Sequence, residues 1–431
     1  MKPRFAGLDE WLRWQEQLHP AEIELGLERV GQVLARTSRR LEGVAVVTVG
    51  GTNGKGSCVA MLESIYLAAG YRPGAYTSPH LLRYNERIRI AGEPVGDDDL
   101  CRAFERVDAA REGVALTYFE FGTLAAIDLL DEAGVDVALL EVGLGGRLDA
   151  VNIIDSDVAL LTSVDIDHTD WLGPDRESIG REKAGIFRPQ RPAVCADIEA
   201  PQSVLAQADA LDTRLLLAGR DYRWQHEGEG WRWQDGADTS IDLPLPALAG
   251  EIQIGNAAAV VQVVQCLQGR LPVVPEALAS GLEQVSCPGR CQRVPGPVEW
   301  LYDVAHNPAS ARALAGFLAT QYCQGKRRTV LGMLADKPAE QVISALAEHT
   351  DEWYLVSLTG SRARSAAELA QQLQKVVPDA SWQSFDDMHT AAQQVQSQSV
   401  SGDRVVITGS FLVVAGIQAI IGQDQSGSAS D

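Results

Sequence analysis

The stretch VVTVGGTNGKGS, residues 46–57, decides the fold because a β-branched strand runs straight into a glycine-rich turn. A lysine and a hydroxyl then open a segment that predicts a helix over residues 57–69. Glycines let backbone N–H groups close around an anion, and a helix N-terminus adds partial positive charge. The stretch therefore predicts a strand–loop–helix phosphate cradle, in which Lys55 reaches the terminal phosphates and Ser57 binds Mg²⁺.

The spacing of this cradle differs from the usual P-loop pattern at two positions. Val49 stands where the first glycine belongs, and Gly56 separates Lys55 from Ser57. The residues alone leave two interpretations open: a phosphate-binding loop, or a glycine-rich strand–helix turn that binds nothing. The preceding strand favours phosphate binding.

Length and composition limit the class of protein. A chain of 431 residues is longer than one ordinary core, which predicts two domains. A hydrophobic content of 45% with 22% charged residues is typical of a soluble globular protein. The net charge of −21 argues against nucleic acid or an anionic membrane as a general partner. Seven scattered cysteines without a CxxC pair indicate reduced thiols in a cytoplasm, and no apolar run suits a signal peptide or a bilayer span.

Two apolar runs predict central strands of a parallel sheet, and each carries acids at its carboxyl end. Residues 135–142 include Glu141, and residues 157–164 lead to Asp165, Asp167 and His168. The carboxyl ends of parallel strands meet at one edge of a sheet, which is also where the glycine-rich loop would lie. Each acid alone is more often a helix cap, but oxygen ligands and a histidine at one edge favour a metal–nucleotide site.

The rest of the chain predicts an added hairpin and a second domain. Residues 220–234 alternate around EGEG with Trp224, Trp231 and Trp233 on the arms, which predicts an antiparallel hairpin. Prolines between residues 286 and 297 mark a boundary, so we place the domains at 1–292 and 297–431. Strands predicted at 298–304, 328–333, 353–357 and 404–408 alternate with helical segments. The fold class is therefore α/β: a P-loop NTPase-like parallel-sheet domain with an added hairpin or small sheet, then a smaller Rossmann-like domain.

Seven motifs occur in the order found in one family of ligases. They are GTNGKGS at 51–57, TSPH at 77–80, NERI at 85–88, EVGLGGRLD at 141–149, DH at 167–168, EKAG at 182–185 and DVAHNP at 303–308. With them the chain resembles the bacterial folylpolyglutamate synthases over about residues 19–416, and most of all the bifunctional dihydrofolate synthase/folylpolyglutamate synthases. These are ATP-dependent amide ligases related to the muramyl-peptide ligases.

The resemblance implies a reaction and its participants. ATP phosphorylates a substrate carboxylate, and the amino group of L-glutamate then attacks the acyl phosphate to form an amide. The substrates would be dihydropteroate, reduced folates and L-glutamate, with ATP and Mg²⁺, at two metal sites, as cofactors. The resemblance also implies a cytoplasmic monomer, with the second domain contributing to the glutamate and ATP sites.

The resemblance implies roles for individual residues as well. The nucleotide contacts would be Gly54, Lys55, Gly56, Ser57, Asn256, Arg290 and Asp303. The metal ligands would be Ser57, Ser78, Glu141, His168 and Lys183, with Lys183 carbamylated as it is in relatives. The pterin contacts would be Ile23, Glu24, Leu25, Gly26, Thr117, Tyr118, Phe119, Glu120, Leu148, Asp149 and Ala150. The catalytic set would be Lys55, His168, Lys183 and His306, with His306 near the glutamate or acyl phosphate.

The sequence departs from the family at two cysteines and leaves alternatives open. Cys58 stands where a second hydroxyl residue often follows Ser57, and Cys291 replaces an aromatic residue after Arg290. The alternatives are a monofunctional folylpolyglutamate synthase, a ligase acting on a cell-wall peptide precursor, and a P-loop nucleotide-dependent binding or switch protein without ligase activity. The switch hypothesis leaves Lys183 and His306 unexplained.

Overall fold

The computed structural model of the chain describes residues 4–21, 23–236, 239–360 and 362–427, with side chains to residue 422. The described chain divides into two compact units at Ser286, and the short segments 81–83 and 248–253 belong to the second unit. The domain boundary proposed from the sequence lay between residues 286 and 297. None of the described helices combines the length and the apolar character needed to cross a bilayer.

The first unit contains an eight-stranded sheet in the order β4-β3-β2-β5-β1-β6-β7-β8. Its strands are β1 (Ala45–Gly50), β2 (Pro73–Tyr76), β3 (Ile88–Ile90), β4 (Glu93–Pro94), β5 (Val137–Glu141), β6 (Val158–Leu161), β7 (Pro192–Cys195) and β8 (Arg214–Leu217). All neighbouring strands from β2 to β8 are parallel, and β3 and β4 add an antiparallel edge. The strand run of the glycine-rich stretch thus forms a central strand that is buried throughout.

Ten helices accompany this sheet in the described part of the first unit. They are α1 (Leu8–Gln15), α2 (Glu28–Leu34), α3 (Lys55–Ala68), α4 (Asp97–Arg111), α5 (Tyr118–Ala133), α6 (Thr169–Leu172), α7 (Arg176–Lys183), α8 (Gln202–Ala210), α9 (Ile252–Leu267) and α10 (Pro275–Gln284). The helix predicted after the glycine-rich loop is confirmed as α3, although it begins at Lys55 and not at Ser57. Gly54 precedes it in the left-handed conformation, with φ of +88°.

The predicted antiparallel hairpin is part of a three-stranded sheet in the order β11-β10-β9. Its strands are β9 (Tyr222–Glu227), β10 (Gly230–Asp235) and β11 (Ser240–Pro244). The aromatic side chains on the arms explain why these residues pair, since Trp231 and Trp233 alternate onto one buried face of β10. The third strand, β11, was not predicted because its exposed positions give a weak alternation.

The second unit is a doubly wound sheet in the order β12-β13-β17-β14-β15-β16, parallel except for β12. Its strands are β12 (Gln292–Val294), β13 (Glu299–Tyr302), β14 (Arg327–Leu331), β15 (Glu352–Val356), β16 (Trp382–Phe385) and β17 (Arg404–Thr408), and its helices are α11 (Pro308–Thr320), α12 (Ala339–Leu346), α13 (Ala366–Val376), α14 (Met388–Gln398) and α15 (Phe411–Gly427). Successive residues of a strand face opposite cores, as Val330 and Leu331 do. The α/β fold class is confirmed, whereas the edge strands β12 and β16 were not predicted.

One close helix contact braces the helix that follows the glycine-rich loop. Gly281 of α10 lies against Ile65 of α3, and a Cβ at position 281 would stand 2.5 Å from the Ile65 Cα. The Ser64 hydroxyl donates to the Gly281 carbonyl oxygen at 2.7 Å across the same contact. The two helix backbones therefore touch at a point where no side chain fits.

We predict that Gly281→Ala lowers the unfolding temperature, because the added methyl group must push α10 away from the α3 backbone. Overpacking of this kind costs about 1–3 kcal/mol. Gly316→Ala in α11 is the matched control, since a Cβ there meets nothing within 4 Å. It should stabilise its helix by about 0.5–1 kcal/mol. Calorimetric scans of both variants test the contact, and an unchanged transition in Gly281→Ala would contradict it.

Candidate active site

The carboxyl ends of three neighbouring strands bring the sequence-predicted residues to one edge of the first sheet. β1 lies between β5 and β6, with Val49 beside Glu141 and Gly50 beside Leu161. The glycine-rich loop, the acid that ends β5 and the segment after β6 therefore start from adjacent positions. This juxtaposition follows from the parallel topology, as the sequence indicated.

The loop is fixed by hydroxyl groups at the end of β6. The Asn53 backbone N–H donates to the Ser163 hydroxyl at 3.1 Å, and the Thr162 hydroxyl donates to the Asn53 carbonyl oxygen at 2.6 Å. Gly51 has φ of +142°, and a Cβ at that position would overlap the Thr162 hydroxyl. These hydroxyls were missed from the sequence, although two hydroxyl residues directly after a buried strand are a readable signal.

Lys55, at the start of α3, bonds to carbonyl groups of its own loop. Its Nζ donates to the carbonyl oxygens of Gly51 at 3.0 Å and Thr52 at 3.1 Å. Asn256 of α9 lies close to the same loop, because a Cβ at Gly54 would stand 2.8 Å from the Asn256 Oδ1. The structure therefore brings the predicted nucleotide contact Asn256 to the predicted phosphate loop.

Lys183, the last residue of α7, donates to the same carbonyl as Lys55. Its Nζ lies 2.9 Å from the Gly51 oxygen, and the residue is 5% exposed. The pKa of Lys183 is lowered to about 7, mainly by burial and secondly by the positive charge of Lys55, while Asp167 and Asp149 act in the opposite direction. Above about pH 7, Lys183 is thus mainly a neutral amine and a competent nucleophile.

The predicted metal ligands lie on this edge in different settings. Ser57 is buried in the first turn of α3, and the buried Glu141 accepts a hydrogen bond through Oε2 from the Ser78 backbone N–H at 3.2 Å. His168 is left-handed, with φ of +52°, and its ring Nε2 is 3.9 Å from Asp167 Oδ2. Among the residues that the structure describes, no group of three His, Cys, Asp or Glu side chains could hold a metal ion. The predicted set differs in kind, because it relies on the hydroxyls of Ser57 and Ser78 and on a lysine as well.

Thr117 and Glu120 form a capping box at the start of α5. The Thr117 hydroxyl accepts from the Glu120 backbone N–H at 3.2 Å, and the Glu120 Oε2 accepts from the Thr117 N–H at 2.8 Å. The helix therefore begins at Tyr118, and the spacing Thr-x-x-Glu is a sequence signal for this start. Within this first turn Phe119 stacks on Tyr76, with ring centroids 5.9 Å apart.

Two further predicted pterin segments meet beside this helix. The Gly26 backbone N–H donates to the Leu148 carbonyl oxygen at 3.1 Å. Asp149 is buried, and its carboxylate accepts from the backbone N–H groups of Leu144 at 2.8 Å and Val151 at 3.0 Å. Burial raises the pKa of Asp149 to about 6, although these hydrogen bonds oppose the change. The carboxylate thus organises the turn that follows the second glycine-rich segment.

The predicted residues of the second unit gather around Asp303. Its carboxylate accepts from the backbone N–H groups of Cys291 at 2.8 Å and Ala305 at 2.9 Å, and burial raises the pKa of Asp303. The Cys291 Sγ lies 3.4 Å from the same carboxylate and donates to it. The Arg290 guanidinium lies over the Phe411 ring at 5.4 Å.

His306 lies three residues after Asp303 in the same motif. Its Nδ1 is 2.8 Å from the Val304 carbonyl oxygen. A carbonyl only accepts, so Nδ1 carries the hydrogen and Nε2 is the acceptor nitrogen of the neutral ring. The motif DVAHNP then opens α11, where Asn307 caps the helix by accepting from the Ser310 N–H at 2.9 Å.

Two domain families match the two halves of the chain. The Mur ligase middle domain matches residues 49–264, and the glutamate ligase domain of Mur ligases matches residues 289–411. The fold, the phosphate-type loop and both matches define the class: the chain belongs to the Mur ligase family of ATP-dependent ligases.

Similar proteins narrow the class further. The dihydrofolate synthase/folylpolyglutamate synthase of Escherichia coli is 40% identical over 420 residues, which cover 97% of each chain. An Escherichia coli FolC structure in complex with DHPP and ADP has a TM-score of 0.90 at 39% identity, covering 97% of this chain and 99% of that one. A bifunctional folylpolyglutamate synthase/dihydrofolate synthase structure with Mn, AMPPNP and L-glutamate bound has a TM-score of 0.89 at 44% identity, with coverage of 97% and 98%. These similarities confirm the dihydrofolate synthase/folylpolyglutamate synthase branch that the motifs indicated.

We predict that Lys55→Ala lowers the rate of ATP-dependent turnover by about a hundredfold to a thousandfold, because the phosphates lose a fixed cationic donor. Lys375→Ala is the matched control, since the Lys375 side chain is exposed and pairs only with Glu340 among the ion pairs of the described residues. Phosphate release and thermal unfolding are measured for both variants. Normal turnover in a folded Lys55→Ala protein would refute the phosphate assignment.

Proposed function

We propose that the protein ligates L-glutamate to the carboxylate of a pterin substrate, using ATP. In one reaction dihydropteroate and L-glutamate give dihydrofolate, and in the other further glutamates are added to reduced folates. One observation carries this proposal: the amino groups of Lys55 and Lys183 both donate to the Gly51 carbonyl oxygen, in the loop between β1 and α3. The names and bound molecules of the similar proteins support the choice of substrates.

The first step needs two anions to approach each other. A carboxylate oxygen attacks the γ-phosphorus of ATP, an O–P bond forms, and ADP leaves with the electrons of the broken bond. We assign the phosphates to Gly54, Lys55, Gly56 and Ser57, whose N–H groups and ammonium offset the negative charge. We assign the remaining nucleotide contacts to Asn256, Arg290 and Asp303.

The second step forms the amide. The amino nitrogen of L-glutamate attacks the acyl carbon, the C–O bond to phosphate breaks, and the nitrogen loses a proton. A free carboxylate is a poor electrophile, whereas phosphate is a good leaving group, which is why the first step must precede the second. We assign His306 to the glutamate or acyl phosphate, near which its acceptor Nε2 would bind a proton.

A divalent ion fits the donors present at the sheet edge. The buried hydroxyl of Ser57 and the buried carboxylate of Glu141 are hard oxygen donors of the kind that Mg²⁺ selects. We assign Ser57, Ser78, Glu141, His168 and a modified Lys183 to two metal sites. The ions would supply charge neutralisation for the phosphates.

Lys183 fits the carbamate that the family resemblance implies. As a neutral amine its Nζ attacks the carbon of CO₂, an N–C bond forms and one proton is released. The product is a carbamate, whose anionic oxygens can bind a metal ion, whereas the ammonium form of lysine would repel it. The pKa of Lys183 near 7 supports this assignment, because an ordinary lysine would be protonated.

The pterin would bind the three segments around the start of α5. These are residues 23–26, residues 117–120 and residues 148–150, which include the aromatic side chains of Tyr118 and Phe119. Flat rings bind well against such side chains. We further propose that the protein acts as a monomer in the cytoplasm, and its seven cysteines, which are thiols and form no disulfide among the described residues, agree with that compartment.

One assay separates this function from its alternatives. Phosphate release from ATP is measured with dihydropteroate, with tetrahydrofolate or with neither, each with and without L-glutamate. We expect release to require glutamate together with either pterin. Release that requires glutamate and occurs with tetrahydrofolate but not with dihydropteroate would indicate the monofunctional enzyme. Release that is the same with and without glutamate and pterin would refute the ligase.

We predict that Lys183→Ala is nearly inactive and that a small added carboxylate, such as acetate, partly restores its rate. In the wild-type protein the Lys183 amine becomes protonated as the pH falls through about 7, and a protonated amine cannot form the carbamate. Turnover should therefore fall in this pH range and recover partly when bicarbonate is added. Lys183→Arg is the control, because its guanidinium stays cationic, cannot form the carbamate and leaves no space for a carboxylate. A normal rate in Lys183→Ala without acetate would contradict the carbamate.

A further inference from the structure

Arg29, near the start of α2, connects two segments that are far apart in the sequence. Its guanidinium donates to the Glu24 carbonyl oxygen at 2.9 Å and forms an ion pair with the Glu24 carboxylate. The same guanidinium donates to Glu120 Oε1 at 3.1 Å. Glu24 belongs to the turn at residues 23–26 and Glu120 to the first turn of α5, so one side chain spans two of the segments proposed for the pterin.

The contact with Glu120 matters because this carboxylate is buried. Its side chain is 4% exposed, and its Oε2 already accepts from the Thr117 N–H at 2.8 Å. A buried carboxylate that loses its cation is strongly destabilised. Arg29 is therefore the cation that pairs with the buried carboxylate of the capping box, and through it fixes the first turn of α5 with Tyr118 and Phe119.

The contact with Glu24 holds the turn from the other side. The Glu24 carboxylate also lies 3.2 Å from the His19 Nε2, so it is held between two nitrogen groups. The Gly26 N–H continues the connection to the Leu148 carbonyl oxygen at 3.1 Å. All three proposed pterin segments are thus joined, and Arg29 is the charged link among them.

We propose that Arg29 is a positioning residue for the pterin-bearing substrate. Its planar fork holds Glu24 and Glu120 at a fixed separation, so the residues around them keep the spacing that a rigid ring requires. The guanidinium acts through these acids and not through contact with the substrate, since Nε, NH1 and NH2 all face Glu24 or Glu120. This inference rests on the proposed function.

Arg106 of α4 provides a matched control, because it also pairs with acids of α5. Its Nε lies 2.7 Å from Asp128 and its NH2 lies 2.7 Å from Glu132, both farther along α5. Its side chain is 35% exposed, compared with 25% for Arg29. Arg106→Gln therefore removes an arginine shared by two acids of α5 and leaves the turn at residues 23–26 untouched.

The experiment compares the full-length wild type with Arg29→Gln, Arg29→Lys and Arg106→Gln. It measures KM and kcat for dihydropteroate and for ATP, the binding of dihydropteroate by titration calorimetry, and the unfolding temperature. Arg29→Gln should raise the KM for dihydropteroate by about tenfold to a hundredfold, because a shift of about 1 Å in the segments proposed for the pterin is enough to weaken a fitted site by such factors. The KM for ATP should stay within about twofold. Arg29→Lys should be intermediate, since one ammonium cannot serve both acids. Arg106→Gln should change stability alone.

Each result decides the matter. An unchanged KM for dihydropteroate in Arg29→Gln, with a pterin-dependent wild type, overturns the positioning role and leaves the proposed function intact. An equal rise in the KM for ATP also overturns it, because that marks general damage. A wild type whose phosphate release ignores dihydropteroate overturns both proposals. If Arg29→Gln does not fold, Arg29→Lys decides, and a wild-type KM there overturns the role.

Discussion

A single backbone carbonyl, that of Gly51, organises the candidate site. Two ammonium groups donate to it, one from the helix that follows the loop and one from the end of α7. The carbonyl can take this position only because residue 51 is a glycine. Its backbone has a positive φ and lies so close to the Thr162 hydroxyl that no side chain would fit. The positions of both lysine amino groups therefore depend on one glycine at the end of one strand.

The same constraint explains how a strongly acidic chain can bind anions. The net charge of −21 is spread over the molecule, whereas the loop concentrates positive charge within a few ångströms. Burial makes two neighbouring ammonium groups unfavourable, so one of them gives up its proton more easily. The phosphate site and the reactive amine thus have a common physical origin.

The sequence could predict the elements whose signal is local or topological. A buried apolar run that ends in an acid implies a parallel strand, and parallel strands place Glu141 and the segment after β6 beside the loop. The ordered motifs then specified the ligase family. The roles of individual residues, such as His306 with the acyl phosphate, remain predictions.

Other features required the folded chain. β12 and β16 are short edge strands with few buried positions, so their alternation was weak. The start of α5 does have a local signal, the capping-box spacing of Thr117 and Glu120. The link through Arg29 has no sequence signal, since its partners lie in distant segments and meet only in the fold.

The resting position of Lys55 has a consequence for ligand binding. Its ammonium is already held by two carbonyl groups, so the flexible side chain gives up its rotational freedom when the protein folds. For lysine that loss is about 1.5–2 kcal/mol. A phosphate bound at the proposed loop would exchange one acceptor for another and would not have to order a mobile chain. Binding there would therefore be a ligand exchange at a cation that is already in place.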